Sequence, residues 1–182
     1  MMAKIKVATT SLAGCFGCHM SLLDIDERIL ELAELVEFHK SPIVDFKGFR
    51  DQCAVGLIEG GCCNEENVEV LREFRKHCEI LISVGDCAIM GGIPALRNTI
   101  PLEECLREAY VDGATVYNPS GQIPNNCEIP MLLDKVYPCH EVVRIDYHLP
   151  GCPPPADTLW EALVALLNGK PLELPYELIK YD

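Results

Sequence analysis

Short apolar runs alternate along the chain with segments whose apolar residues recur at helical spacing. The runs that predict strands are 5–9, 36–39, 53–58, 80–84 and 141–147. The runs at 53–58 and 80–84 are unbroken, which is typical of strands buried on both faces of a parallel sheet. The pattern therefore indicates strands in the interior of a sheet rather than at a solvated surface.

Amphipathic spacing predicts four helices. They run from a capping box at Ser21 to Leu35, from Asn64 to about Cys78, from Pro101 to Val111, and from a cap at Asp157 to Asn168. The stretch from Asn118 to Pro138 is rich in Pro, Asn and Gly and lacks periodicity, which predicts a long surface loop.

The order of these elements defines the fold class. Buried strands alternating with helices predict an α/β fold, a flavodoxin-like three-layer sandwich whose sheet is mostly parallel. A chain of 182 residues with 49% apolar residues is long enough for one well-buried domain, so residues 1–182 are expected to form a single unit. Sites in such sheets lie outside the carboxyl ends of the strands.

The net charge and the search for targeting signals limit the partners and the compartment that the sequence predicts. Fifteen basic against 28 acidic residues give a net charge of −13, which argues against nucleic acid or an anionic membrane as a partner. The sequence has no apolar leader, no twin-arginine pair and no apolar span near the length of a membrane helix. A cytoplasmic protein is therefore expected.

The eleven cysteines indicate a metal centre, because their number is odd and the chain is larger than most disulfide scaffolds. Cys15 and Cys18 form a C-x-x-C pair after the first strand, which alone fits a redox site, a zinc knuckle or half of an iron–sulfur site. Cys87 and Cys152 also follow predicted strands, so all four thiols are expected at one edge of the sheet. Four thiolates select zinc or an iron–sulfur cluster, and two widely separated single cysteines favour the cluster.

Glu59 ends a predicted strand at the same edge and is a candidate neighbour of the cluster. Its carboxylate is expected to lower the reduction potential, to pass protons or to take an iron; the alternative is an ordinary carboxylate that caps a turn. His19 and His148 lie near ligands in the sequence. Cys53, Cys78 and Cys105 are expected to be core residues. Cys62 and Cys63 follow the second buried strand at the same edge, where a role in supporting the cluster is the less favoured interpretation. Cys127, Cys139 and His140 offer metal-binding side chains, but their spacing matches no tight motif, so packing is expected for them.

Catalysis by the isolated chain is not indicated. No G-x-G-x-x-G follows the first strand, and neither a Walker lysine motif nor a G-x-S-x-G elbow is present. The sequence favours an electron carrier over a chain that makes or breaks bonds.

Several segments together resemble the small subunit of [NiFe] hydrogenases, in particular the cytoplasmic, bidirectional, NAD-reducing type. They are Cys15 to Asp24, Glu59-Gly60, Gly85 to Ala88 and Pro150 to Pro154. The resemblance implies that Cys15, Cys18, Cys87 and Cys152 bind the iron of one proximal [4Fe–4S] cluster, and that residues 1–182 form one cluster-binding domain. It implies an electron relay for the reaction H2 + NAD+ = NADH + H+.

The same resemblance implies the partners. A large subunit would hold the Ni–Fe centre, and iron–sulfur and flavin diaphorase subunits would hold FMN and bind NAD. Many relatives carry further clusters in a later segment, but here no cysteine follows Cys152. The related complex I subunit has its tandem cysteines in the first loop, whereas here Cys62-Cys63 follow a later strand. A hydrogenase using NADP or a deazaflavin, and a non-enzymatic flavodoxin-like module with structural zinc, stay open as alternatives.

Overall fold

A computed structural model describes residues 4–179 of the chain. The strands are Ile5–Ser11 (β1), Val36–Lys40 (β2), Cys53–Glu59 (β3), Cys62–Asn64 (β4), Cys78–Val84 (β5), Leu132–Tyr137 (β6) and Tyr147–Leu149 (β7). The α-helices are Gly17–Leu23 (α1), Arg28–Leu35 (α2), Glu65–His77 (α3), Asp86–Met90 (α4), Leu102–Arg107 (α5) and Ala156–Leu167 (α6). Short 3-10 helices lie at Ile93–Thr99, Cys139–Glu141 and Tyr176–Leu178, and a π-helical turn at Glu108–Asp112 extends α5.

Five parallel strands form the main sheet, in the order β2-β1-β3-β5-β7. This is the order of flavodoxin-like sheets, in which the chain changes direction beside β1. Strands β4 and β6 form a separate antiparallel pair. The predicted α/β fold with a mostly parallel sheet is therefore confirmed.

Helices cover both faces of this sheet. One hydrophobic cluster joins α1, α2 and α6 to the strands through buried residues such as Leu22, Leu32 and Leu159. The other joins α3 and α4 through residues such as Phe74 and Ala88. Adjacent residues of one strand enter different clusters, as period-two alternation requires. The result is the predicted three-layer sandwich.

The start of the first helix differs from the prediction. Helix α1 begins at Gly17, after Phe16 in a left-handed conformation, so Ser21 lies inside the helix and is not a cap. The Ser21 hydroxyl instead donates to the carbonyl of Pro154, a partner far away in the sequence. The predicted single helix is also broken before α2, where Asp26 has φ of 55°. Ile25 in this break is fully buried, so the apolar periodicity continues through it and hides the interruption.

Two predictions for the second half of the chain were also wrong. The predicted loop 118–138 contains β6, which pairs with the short strand β4. Of the predicted strand 141–147 only Tyr147 lies in a strand, because β7 runs from Tyr147 to Leu149. Just before β7, the Asp146 carboxylate accepts hydrogen bonds from the Leu81 amide and the Arg75 guanidinium, so a side chain takes the place of a regular ladder bond there.

The helix cap predicted at Asp157 was wrong as well. Pro155 precedes α6, and Asp157 lies in the first turn of that helix, where it forms an ion pair with Arg28. Between residues 4 and 179, no helix is both long and apolar enough to cross a membrane.

Candidate metal centre

The four predicted ligands lie on loops that follow three strands of the main sheet. Cys15 and Cys18 follow β1, Cys87 follows β5 and Cys152 follows β7, with β3 between β1 and β5. Backbone hydrogen bonds join the loop after β1 to the loop after β3, and the loop after β5 to the loop after β7. Ala13 and Gly61 exchange two bonds of 3.0 and 2.8 Å, and Asp86 N donates to the Gly151 carbonyl at 3.1 Å.

The four thiols line one cavity of about 50 Å³. This is several times the space of about 10–15 Å³ that one water needs. Cys18 and Cys87 are half-buried, whereas Cys15 and Cys152 are exposed at its mouth. None of the other seven cysteines lines this cavity. The side chains of these four cysteines therefore lie together at one edge of the sheet, as the sequence predicts.

Glycines leave the space that the sulfurs occupy. A Cβ on Gly85 would lie 2.4 Å from Sγ of Cys18, and one on Gly92 would lie 2.9 Å from Sγ of Cys87. Both distances are well below van der Waals contact. Side chains at these two positions would therefore displace the thiols, so the backbone is shaped to accommodate sulfur.

Burial, followed by the charges of Glu59 and the other thiols, raises the pKa of Cys18. Burial also raises the pKa of Cys87. Deprotonating such a set needs compensating positive charge, which a metal centre supplies. The donor chemistry, the cavity and the glycines all fit an iron–sulfur cluster held by Cys15, Cys18, Cys87 and Cys152.

The thiols surround a space and do not meet at a point. Within residues 4–179, no three His, Cys, Asp or Glu side chains are close enough together to bind one metal ion.

Glu59 is buried and lines the same cavity. Its Oε1 accepts a hydrogen bond from the Ser11 hydroxyl at 2.6 Å, and its Oε2 accepts one from the His19 amide at 2.9 Å. Nδ1 of His19 lies 3.2 Å from Oε2. Burial alone would raise the pKa of Glu59, but the bonds from His19 and Ser11 outweigh it and lower the pKa. Glu59 is therefore an ionised carboxylate beside the thiols.

The remaining cysteines lie elsewhere. Cys53 and Cys78 are opposite each other on β3 and β5 in the core, as predicted. Cys62 and Cys139 are also buried in that core, and the Cys139 thiol donates to the Gly60 carbonyl at 3.4 Å. Burial raises the pKa of Cys62 to about 11 and that of Cys139 to about 12, which is typical of packed thiols.

Two thiols and one histidine differ from their predicted positions. Cys105 is only half-buried, and Cys127 is exposed, so packing does not explain Cys127. Cys63 is half-buried and does not line the cavity. His148 is exposed and meets His140 edge to face at 6.0 Å, outside the cavity.

Sequence reasoning missed several polar residues that shape the site. The Asp86 carboxylate accepts a hydrogen bond of 2.9 Å from the Gly151 amide and so ties two ligand loops together. Thr9 and Ser11 are polar residues in an otherwise apolar strand, and this break in the pattern is the sequence signal that could have identified them. Thr9 is buried and faces His19, and Ser11 faces Glu59.

Comparison with known proteins identifies the family of this chain. Residues 15–166 match the family described as NADH ubiquinone oxidoreductase, 20 Kd subunit. The chain is 51% identical over 180 residues to the NAD-reducing hydrogenase HoxS subunit delta of Cupriavidus necator, covering 98% of this chain and 86% of that one. It is 41% identical to a subunit of the F420-non-reducing hydrogenase of Methanothermobacter thermautotrophicus, covering 96% of this chain and 57% of that one.

A solved structure, "Crystal structure of NAD+-reducing [NiFe]-hydrogenase in the H2-reduced state", contains a chain similar in fold. The TM-score is 0.95 at 50% identity, over 99% of this chain and 100% of that chain. The chain therefore belongs to the family of the 20 Kd subunit of NADH ubiquinone oxidoreductase. Within that family it is a subunit of the hydrogenase type, and the resemblance to small subunits of NAD-reducing [NiFe] hydrogenases is confirmed.

Proposed function

We propose that this chain is the electron-transfer small subunit of a soluble, cytoplasmic [NiFe] hydrogenase that couples H2 oxidation to NAD+ reduction. Cys15, Cys18, Cys87 and Cys152 would bind one proximal [4Fe–4S] cluster. The observation that carries the proposal is that these four thiols, from four separate positions in the chain, line a single cavity. When bound, the cluster passes single electrons between the Ni–Fe centre and the acceptor side.

The chain's own residues bind the cluster and control solvent access. Gly85 and Gly92 leave room for the sulfurs of Cys18 and Cys87, and these two thiols face the protein interior. Cys15 and Cys152 lie at the exposed mouth, so this is the side on which a docked partner would come close to the cluster and exclude water. The Asp86 carboxylate holds the loop of Cys152 against the loop of Cys87.

The proposed partners are a large subunit with the Ni–Fe centre and diaphorase subunits with FMN and an NAD site. The relative from Cupriavidus necator is named as a subunit of an NAD-reducing hydrogenase, which supports NAD as the acceptor. None of the eleven cysteines is in a disulfide within residues 4–179, which suits a reducing compartment.

Metal analysis of the anaerobically purified protein tests the cofactor. We expect about four iron and four sulfide per chain, because four thiolates around a cavity bind a cluster. About one zinc without sulfide would instead support a structural zinc module and would overturn the proposal.

An apolar ridge beside Cys87 supports a docking position for the large subunit. Met90 ends α4, and Ile93 and Leu96 lie on the next turn, with exposures of 51%, 70% and 67%. Exposed apolar side chains grouped in one short segment beside a proposed cluster ligand favour a protein interface over a solvated surface. We propose that this ridge contacts the large subunit next to the cluster.

Replacing Ile93 by glutamate is therefore expected to lower recovery of the large subunit by about 10-fold or more, because it buries an unpaired charge at the interface. The assay is the amount of nickel and large subunit that copurifies with the tagged chain. Leu30→Glu is the matched control, since Leu30 is also 70% exposed but lies on α2. Equal recovery of the large subunit with both variants would show that the ridge is not part of the interface.

A further inference from the structure

A chain of buried hydrogen bonds connects the thiol cavity to the loop after β2. Nδ1 of His19 lies 3.2 Å from Oε2 of Glu59, and Nε2 of the same ring lies 2.8 Å from Oγ1 of Thr9. Oγ1 of Thr9 lies 2.6 Å from Oγ of Ser41. The exposures of these four residues are all 5% or less, so water does not compete for the bonds.

Other contacts restrict the His19 ring to one orientation. The ring of Phe16 stacks on it at 4.5 Å with an angle of 6° between the planes. At the far end of the chain of bonds, the Ile43 amide donates to Oγ of Ser41 at 3.3 Å, which fixes that hydroxyl in turn. Both ring nitrogens of His19 are engaged, so the ring cannot rotate without breaking two contacts.

We propose that His19 is a positioning residue, and that Thr9 and Ser41 hold its ring so that the ring holds the Glu59 carboxylate in the wall of the thiol cavity. This inference rests on the proposed function, because it concerns the charge next to the cluster. The alternative is that these hydrogen bonds only stabilise the fold, and in that case no carboxylate would be needed in the wall of the cavity. Here the buried Glu59 side chain lines the same cavity as Cys18 and the other three thiols.

The proposed effect is electrostatic. A carboxylate fixed beside the thiols stabilises the more positive, oxidised state of the cluster and lowers its reduction potential. When the ring is released, the carboxylate spreads over more positions and its average field at the cavity falls. Losing a hydroxyl at Thr9 or Ser41 is therefore expected to raise the reduction potential, although neither residue lines the cavity.

The experiment is an EPR-monitored redox titration of the intact complex. We expect Glu59→Gln to raise the midpoint potential, and Thr9→Val and Ser41→Ala each to raise it by less. Combined with Glu59→Gln, the Thr9 and Ser41 substitutions are expected to add no further shift, because they act through the carboxylate. If Thr9→Val impairs folding, Ser41→Ala supplies the same comparison from the far end of the chain of bonds.

Thr158→Val is the matched control. It removes the same hydroxyl from another fully buried threonine, whose partner is the Leu178 carbonyl at 2.9 Å, and it is expected to leave the midpoint potential unchanged. Wild-type potentials and EPR spectra in both Thr9→Val and Ser41→Ala would overturn the inference, and so would shifts that persist in full beside Glu59→Gln. A wild-type complex without iron and sulfide in this chain would instead refute the proposed function itself.

Discussion

Replacing Cys87 or Cys152 by serine is expected to lower H2-driven NAD+ reduction by more than about 100-fold, because loss of a ligand exceeds the 10–100-fold effects of residues that merely support ligands. A serine oxygen is a harder and poorer cluster ligand than a thiolate. H2 oxidation with artificial dyes is expected to persist in part wherever the large subunit still assembles, since its Ni–Fe centre does not depend on these sulfurs. The measurements are the two activities and the iron content of the same preparation.

Cys127→Ser serves as the control for this substitution. Cys127 is exposed and lies outside the cavity, so its replacement is expected to change neither the iron content nor NAD+ reduction. NAD+ reduction that survives undiminished in Cys87→Ser or Cys152→Ser would refute the ligand assignment. Equal losses in all three variants would indicate general damage to the chain.

The placement of the four candidate ligands at one cavity could be predicted because the fold follows strong local signals. Unbroken apolar runs identify the buried strands, and the carboxyl ends of parallel strands meet at one edge. A cysteine just past such a strand, as in Gly85-Asp86-Cys87, is therefore located without knowledge of tertiary contacts. The same logic located Glu59 at the cavity.

What could not be predicted depends on tertiary partners. Ser21 has the local sequence of a helix cap, yet its hydroxyl donates a hydrogen bond to a carbonyl of a distant loop. Strand β6 forms only because β4 is close enough to pair with it, and neither segment has a strong strand pattern. The contact between Thr9 and Ser41 joins β1 to the loop after β2, and their separation in sequence carries no signal of proximity.

Gly85→Ala is expected to remove most of the iron from the chain while leaving the fold largely intact. Gly85 has φ of 83°, and its added Cβ would lie 2.4 Å from Sγ of Cys18. With φ of 83° and ψ of 161°, Gly85 lies in a backbone region that essentially only glycine adopts, and the strain of an alanine there costs about 1–3 kcal/mol, which most domains tolerate. The clash with sulfur cannot be relieved by a shift of the backbone, because a 2.8 Å hydrogen bond from the Gly85 amide to the Leu149 carbonyl holds Gly85 at the end of the strand. The thiol must therefore move, and it is displaced from the cavity.

Gly121→Ala separates the two effects, because Gly121 has φ of 63° but no atom lies within 4 Å of the added Cβ. This control carries the strain of a positive φ without the clash, so it is expected to keep its full iron and sulfide while losing some thermal stability. Iron and sulfide per chain, together with the midpoint of thermal unfolding, distinguish the outcomes. A Gly85→Ala protein with full iron and an unchanged EPR spectrum would mean that Cys18 is free to move without loss of the cluster. In that case the close approach of Gly85 to this sulfur would not be required for binding.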